Sequence, residues 1–306
     1  MPAVSVVNGS ENPMRTLLCA VLLVVAASLD AADPAKCRVL IIDGQNNHNW
    51  KATTPVLKKH LEESGLFAVE VATSPGPGKK NEMAQFRPDL TECEVVVSNY
   101  NGEPWGKELN DALEGRLKDG KIGLVIVHAA NNAFGGWREY NQMIGMGWRD
   151  AKFGKRLKVD ESGREVVVEA GKDDSSGHRY TGPFTVTVRN PDHPVTKGMP
   201  KEWLHDRDEL YDNMRGPVEN VTVLATALSP AAKKGTGAHE PMIWTVKYGS
   251  GRVFHTPMGH DVNAMKCVGF AATLLRGTEW AATGEVTIPL PKAFPTADKT
   301  SVIADK

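Results

Sequence analysis

Short runs of β-branched and aliphatic residues, each closed by turn formers, recur along the chain and predict buried strands. They fall at 37–44 (CRVLIIDG), 67–73 (FAVEVAT), 94–99 (EVVVSN) and 124–127 (LVIV). Helical spacing separates them. At 53–65, Thr54 caps a helix, Pro55 suits its first turn and Gly65 ends it, with Val56, Leu57, His60 and Leu61 on one face. At 105–120, Leu109, Leu113 and Leu117 recur every four residues. Strand, helix, strand, strand, helix, strand is the order of a parallel sheet with helices on both faces.

The pattern then loosens. Residues 145–182 are rich in Gly, Lys, Asp and Ser around one candidate strand at 164–170, and they read as an insertion over one end of the sheet. Strand character resumes at 184–190, 220–228, 241–249 and 251–259. The last two are joined by Gly249-Ser250-Gly251, a tight hairpin signal. A final helix is expected over 262–282, then a short closing strand at EVTIPL and a loose tail over 291–306. There is no internal repeat and no low-complexity tract.

The N-terminus has another character. Met14-Arg15 precedes the apolar run TLLCAVLLVVAAS, too short to span a bilayer comfortably. A basic residue, a short apolar core and small residues describe a secretory signal peptide, with cleavage between Ala27 and Ala32 and an upstream extension before Met14. The expected organisation is therefore a signal segment over 1–32 and one α/β domain over 33–290. The mature protein is expected to be periplasmic or secreted, without stable membrane insertion. Cys37, Cys93 and Cys267 then remain, in apolar settings without CxxC spacing, and read as small buried hydrophobes. Hydrophobic residues make up 41% and charged residues 24%, as in ordinary globular proteins, and a formal net charge of −1 without basic runs argues against a nucleic-acid partner. A homo-oligomer is compatible with this composition.

Ligands of an open parallel sheet bind beyond the carboxyl ends of its strands. The polar residues expected there are Asn47, His48 and Trp50 after the first strand, Asn99 and Tyr100 after the third, His128 and Asn131 after the fourth, and His260 and Asp261 after the last hairpin strand. Three histidines at three strand ends suit a divalent metal such as zinc, or acid and base catalysis. Amides beside aromatics suit a polyhydroxylated ligand such as a sugar. Loop amides also arise because Asn bonds its own backbone, and Trp50 also suits a helix anchor. His60 on a helix face and His255 inside a strand read as structural. The acidic run HDRDELYDN at 205–213 reads either as a solvated turn or as the source of a carboxylate, Glu209 or Asp206, for the histidine site. Tyr211 lies in the same run.

VLIIDGQNNHNW, GLVIVHAANNAF, HPVTKGMP followed by DELYDN, and GRVFHTPMGHD leading into LLRGTEWAA occur in order between residues 37 and 282. This set resembles the ThuA-like family, named after a trehalose-utilisation protein. The resemblance implies a flavodoxin-like three-layer αβα sandwich with a mostly parallel central sheet, of the class I glutamine amidotransferase-like superfamily. That superfamily often carries a nucleophilic cysteine on the turn after a central strand. Here the corresponding tip, VIVHAAN, offers His128 instead, which argues against cysteine-based glutamine hydrolysis. The implied role is carbohydrate use. One reading is an exported enzyme acting on a sugar or keto-sugar by hydrolysis, elimination or isomerisation. In it His48, His128, His260 and Glu209 are acid, base or metal ligands, and Asn47, Trp50, Asn99, Tyr100, Asn131, Tyr211 and Asp261 contact substrate. The other is a non-catalytic carbohydrate-binding protein on the same fold. Dinucleotide binding is not expected, because no GxGxxG follows the first strand.

Overall fold

A computed structural model of the protein describes residues 36–304; the signal segment expected over 1–32 lies outside the described residues. In chain order the first half comprises β1 (Cys37–Asp43), α1 (Trp50–Glu63), β2 (Phe67–Thr73), α2 (Lys80–Gln85), β3 (Val95–Ser98), α3 (Lys107–Lys118), β4 (Gly123–Val127) and α4 (Arg138–Ile144). The second half adds β5 (Lys155–Val159), β6 (Glu165–Val168), β7 (Gly177–Val188), β8 (Glu202–Asp212), β9 (Arg215–Gly216), β10 (Val221–Leu228), β11 (His239–Tyr248), β12 (Gly251–Thr256), α5 (Val262–Met265) and α6 (Val268–Thr283).

The β-branched runs pair as a parallel array in the order β2-β1-β3-β4-β12, the strand order of a flavodoxin-like sheet. Side chains alternate across it. Val39, Ile41, Val95, Val97, Val125 and Val127 face Leu57 and Leu61 of α1 and Phe270 and Leu274 of α6. Leu40, Ile42, Val96, Leu124 and Ile126 face Leu109, Leu113 and Leu117 of α3 and Met143 and Ile144 of α4. The result is a three-layer αβα arrangement. Beyond β12 the sheet continues antiparallel through β11, β10, β7 and β8, with β5, β6 and β9 branching off. The sheet is therefore mixed, not mostly parallel: five of its twelve strands form the parallel half. Hydrophobic periodicity reports burial and says nothing of strand direction. The hairpin between β11 and β12 forms as expected, with Tyr248 paired to Gly251.

Other expectations are also adjusted. α1 starts one turn early because Asn49, not Thr54, caps it by accepting from the Ala52 N–H at 3.3 Å. The helix expected over 262–282 divides at Cys267 into α5 and α6. EVTIPL forms no strand, yet Val286, Ile288 and Leu290 pack against the core. The tail is not loose: Phe294 meets Trp203 at 5.5 Å between ring centroids, and Val302 bridges to Cys267. The acidic run at 205–213 is no solvated turn; it lies mostly in β8, paired with β7. Among the described residues no helix is long and apolar enough to cross a membrane.

Candidate functional site

β1, β4 and β12 run parallel within one sheet, so their carboxyl ends open on one edge, and His48, His128 and His260 meet there. Ring centroids lie 4.7 Å apart for His48 and His128, 4.6 Å for His48 and His260, and 5.3 Å for His128 and His260. β8 supplies the fourth member from the antiparallel half. Glu209 Oε2 is 3.1 Å from His260 Nδ1 and 3.6 Å from His128 Nε2. One ligand atom from each of the four residues falls within 4.8 Å of the others, so the group could hold a metal ion.

Local structure explains each placement. Asn46 accepts the His48 N–H at 3.0 Å through its side chain, which turns the loop after β1, and the Asn47 amide lies 3.0 Å from His48 Nε2. His128 follows directly on β4 at φ 45°, a left-handed conformation uncommon for a side chain of its size. Its Nδ1–H donates to the Pro257 carbonyl at 2.6 Å, which leaves the lone pair on Nε2. That nitrogen faces the Tyr211 hydroxyl at 3.1 Å as well as Glu209. A ring N–H fixed on a backbone carbonyl is the usual orientation of a ligating histidine.

The electrostatics favour an anion among neutral or positive imidazoles. Burial opposes charge on Glu209, but His128 and His260 beside it hold the carboxyl well below its usual range. The Glu209 carboxylate in turn raises His260, whereas burial and the neighbouring histidines depress His48 to about 4. Glu209 Oε2 and His260 Nδ1 are both buried, and neither has a hydrogen bond of acceptable geometry despite their proximity. Two such orphaned donor atoms fit a bound cation. Three imidazole nitrogens and one carboxylate oxygen are a donor set for zinc or a similar divalent ion.

Not every expected residue reaches this centre. Tyr211 does, through its hydroxyl. Asn47 and Trp50 flank His48 on the loop and at the start of α1. Asp261 caps α5 and, with His48, Asn49, Thr53, His260 and Asn263, lines a cleft of about 210 Å³. Asn99, Tyr100 and Asn131 are taken up by the scaffold. Buried Asn99 donates to the Thr53 and Thr54 hydroxyls at 3.1 and 3.0 Å. Tyr100 is fully buried, donates to the Glu103 carbonyl and packs on Trp105 and Phe134. Asn131 accepts from the Trp148 N–H and meets His255 Nε2 at 3.2 Å. A larger groove of about 840 Å³ follows the β2 edge, but the arginine in its lining, Arg38, is paired to Glu92 and Glu94.

Two features lay outside the sequence reading. His178, in the polar segment read as an insertion, has Nδ1 3.6 Å from Glu209 Oε1 and packs near Trp148 and Tyr211. Nothing in its neighbourhood of Gly, Ser and Asp distinguishes it. Behind the site, the buried His205 pairs with Asp208 at 2.8 Å. Burial opposes its charge, but Asp208 and Cys267 raise it to about 9. Cys267 is fully buried in the core, as its apolar setting predicts, and His205 lowers its thiol although burial opposes the charge.

The sequence matches the ThuA family, described as trehalose utilisation, over residues 38–281. The chain belongs to the ThuA family. A ThuA-like protein from Parabacteroides merdae is 40% identical, with a TM-score of 0.83 over 88% of this chain and 98% of that one. A ThuA-like protein from Bacteroides uniformis, 18% identical with a TM-score of 0.51 over 84% of this chain and 98% of that one, shares the fold. No curated protein matches the chain. In this ThuA-family member the residue after β4 is His128.

Proposed function

We propose that this ThuA-family protein is an enzyme that acts on an unphosphorylated sugar or keto-sugar with a divalent metal, zinc by the donor set, held by His48, His128, Glu209 and His260. The observation that carries this reading is the inward-facing donor cluster, with His128 anchored on Pro257 and two buried donor atoms left without hydrogen bonds. Such a metal would polarise a carbonyl or lower the pKa of bound water. The chain's own groups do the rest. His178 Nδ1, 3.6 Å from Glu209 Oε1 at the exposed side of the cluster, is placed for proton exchange with a substrate hydroxyl, which the Glu209 carboxylate would orient. The Tyr211 hydroxyl meets His128 at Nε2, the nitrogen that also faces Glu209. Hydrolysis, elimination and isomerisation of a keto-sugar share this requirement for a positioned acid and base. The cleft lining supports a neutral polyol: it offers Asn49, Asn263 and Thr53 with the acid Asp261, and among its lining residues there is no Lys or Arg to meet a phosphate. The segment from Met14 to Ser28 supports action in the periplasm or outside the cell.

Elemental analysis of tag-free protein, wild type beside His48→Ala, His128→Ala and His260→Ala, tests the reading. About one metal per chain, lost in the folded variants, is the expected result, and turnover of keto-sugars would then be screened with the loaded protein. Wild-type protein that takes up no zinc, manganese or cobalt after incubation overturns the metal centre.

A further inference from the structure

Asp208 precedes Glu209 on β8, and its carboxylate is fully buried. Four donors converge on it. Oδ1 accepts the Glu209 N–H at 2.8 Å and the His260 N–H at 3.1 Å. Oδ2 accepts the Gly259 N–H at 2.7 Å and lies 2.8 Å from His205 Nε2. Two of these N–H groups belong to cluster residues, and the third belongs to the residue just before His260. Consecutive N–H groups converge on one anion only where the backbone curls. Gly259 provides that curl at φ 98°, and a Cβ there would come within 2.7 Å of Phe270. One carboxylate therefore grips the main chain of β8 and of the loop after β12 at the points that present Glu209 and His260.

We propose that Asp208, backed by His205, is the positioning residue that sets Glu209 and His260 at ligand spacing. This rests on the metal reading above and adds the group that fixes its geometry. An Asn at 208 keeps the shape, but its NH2 must face one of the N–H donors that the carboxylate now accepts.

The test uses Co2+ as probe, whose visible spectrum reports ligand geometry. Asp208→Asn is expected to raise the Co2+ dissociation constant about 10- to 100-fold and to alter the spectrum. His205→Gln, which keeps a donor toward Asp208, should stay within about threefold of wild type. A folded Asp208→Asn protein with wild-type affinity and spectrum overturns the proposal. Amide hydrogen exchange on the wild-type protein decides it even if Asp208→Asn fails to fold: the amides of Glu209, Gly259 and His260 should be strongly protected, and rapid exchange at all three overturns the clamp. Wild-type protein that binds no Co2+ overturns the metal reading instead, and the exchange result still decides the clamp.

Discussion

His128 adopts φ 45° without being glycine, a conformation that costs an L-residue about 1–2 kcal/mol. Asn tolerates it best and a β-branched residue worst. His128→Asn should therefore retain the fold and lose bound metal, whereas His128→Val should lose the metal and about 1–2 kcal/mol more stability. Urea unfolding of the two variants, with metal analysis of each, checks this; equal midpoints would show that the backbone at 128 is unstrained. The opposite split is expected between a ligand and a scaffold amide. Asn131→Ala strands the Trp148 N–H in the interior and should cost about 1–3 kcal/mol with metal binding intact. His48→Ala, on a half-buried loop, should cost about 0.5 kcal/mol and release the metal.

Between elements, the contribution least visible in the sequence is that of the C-terminal segment. Leu290 and Phe294 pack on the core, and Phe294 lies against buried Trp203. Phe294→Ala should destabilise by about 2 kcal/mol, read as a lower urea midpoint at unchanged slope; no change would mean the tail only drapes over the domain. The segment read as loose because its apolar residues are spaced by prolines and carry no helical or strand period. The parallel half was legible for the converse reason, since CRVLIID, VVVS and GLVIV are continuous apolar runs. So were the three histidines, because each lies at or within five residues of the end of a strand and parallel strands share an edge. β8 was not legible. Its buried Asp208 and Asp212 are stabilised by His205 and Arg179, partners that a local reading of a charge run cannot supply. The choice of Glu209 over Asp206 depends on the register of that strand against β7. Asn99 and Asn131 are not separable from ligand contacts by sequence, because an amide after a strand serves the scaffold, a helix hydroxyl for Asn99 and a main-chain N–H for Asn131, as readily as a ligand.

At the scale of the whole molecule, metal and protons should both couple to folding. A metal that binds only the folded chain adds about 2.7 kcal/mol at a hundredfold excess over its dissociation constant, so a chelator should lower the melting temperature by several degrees. The proton dependence of the metal-free protein is set partly by His205. Its folded-state value is raised to about 9, with burial opposing and Asp208 and Cys267 favouring the charged ring. A raised value means stability that is fully present below about pH 6.5, the ordinary histidine value, and lost as pH climbs toward 9. The loss is bounded at about 3 kcal/mol by the size of the shift. Gln at 205 cannot titrate, so wild type and His205→Gln should diverge below about pH 6.5 and converge by pH 9. Denaturation midpoints of the two metal-free proteins across that range measure the difference. A gap that stays constant across that range would mean that the buried imidazole is neutral in the folded protein and meets Asp208 only as a neutral Nε2–H donor.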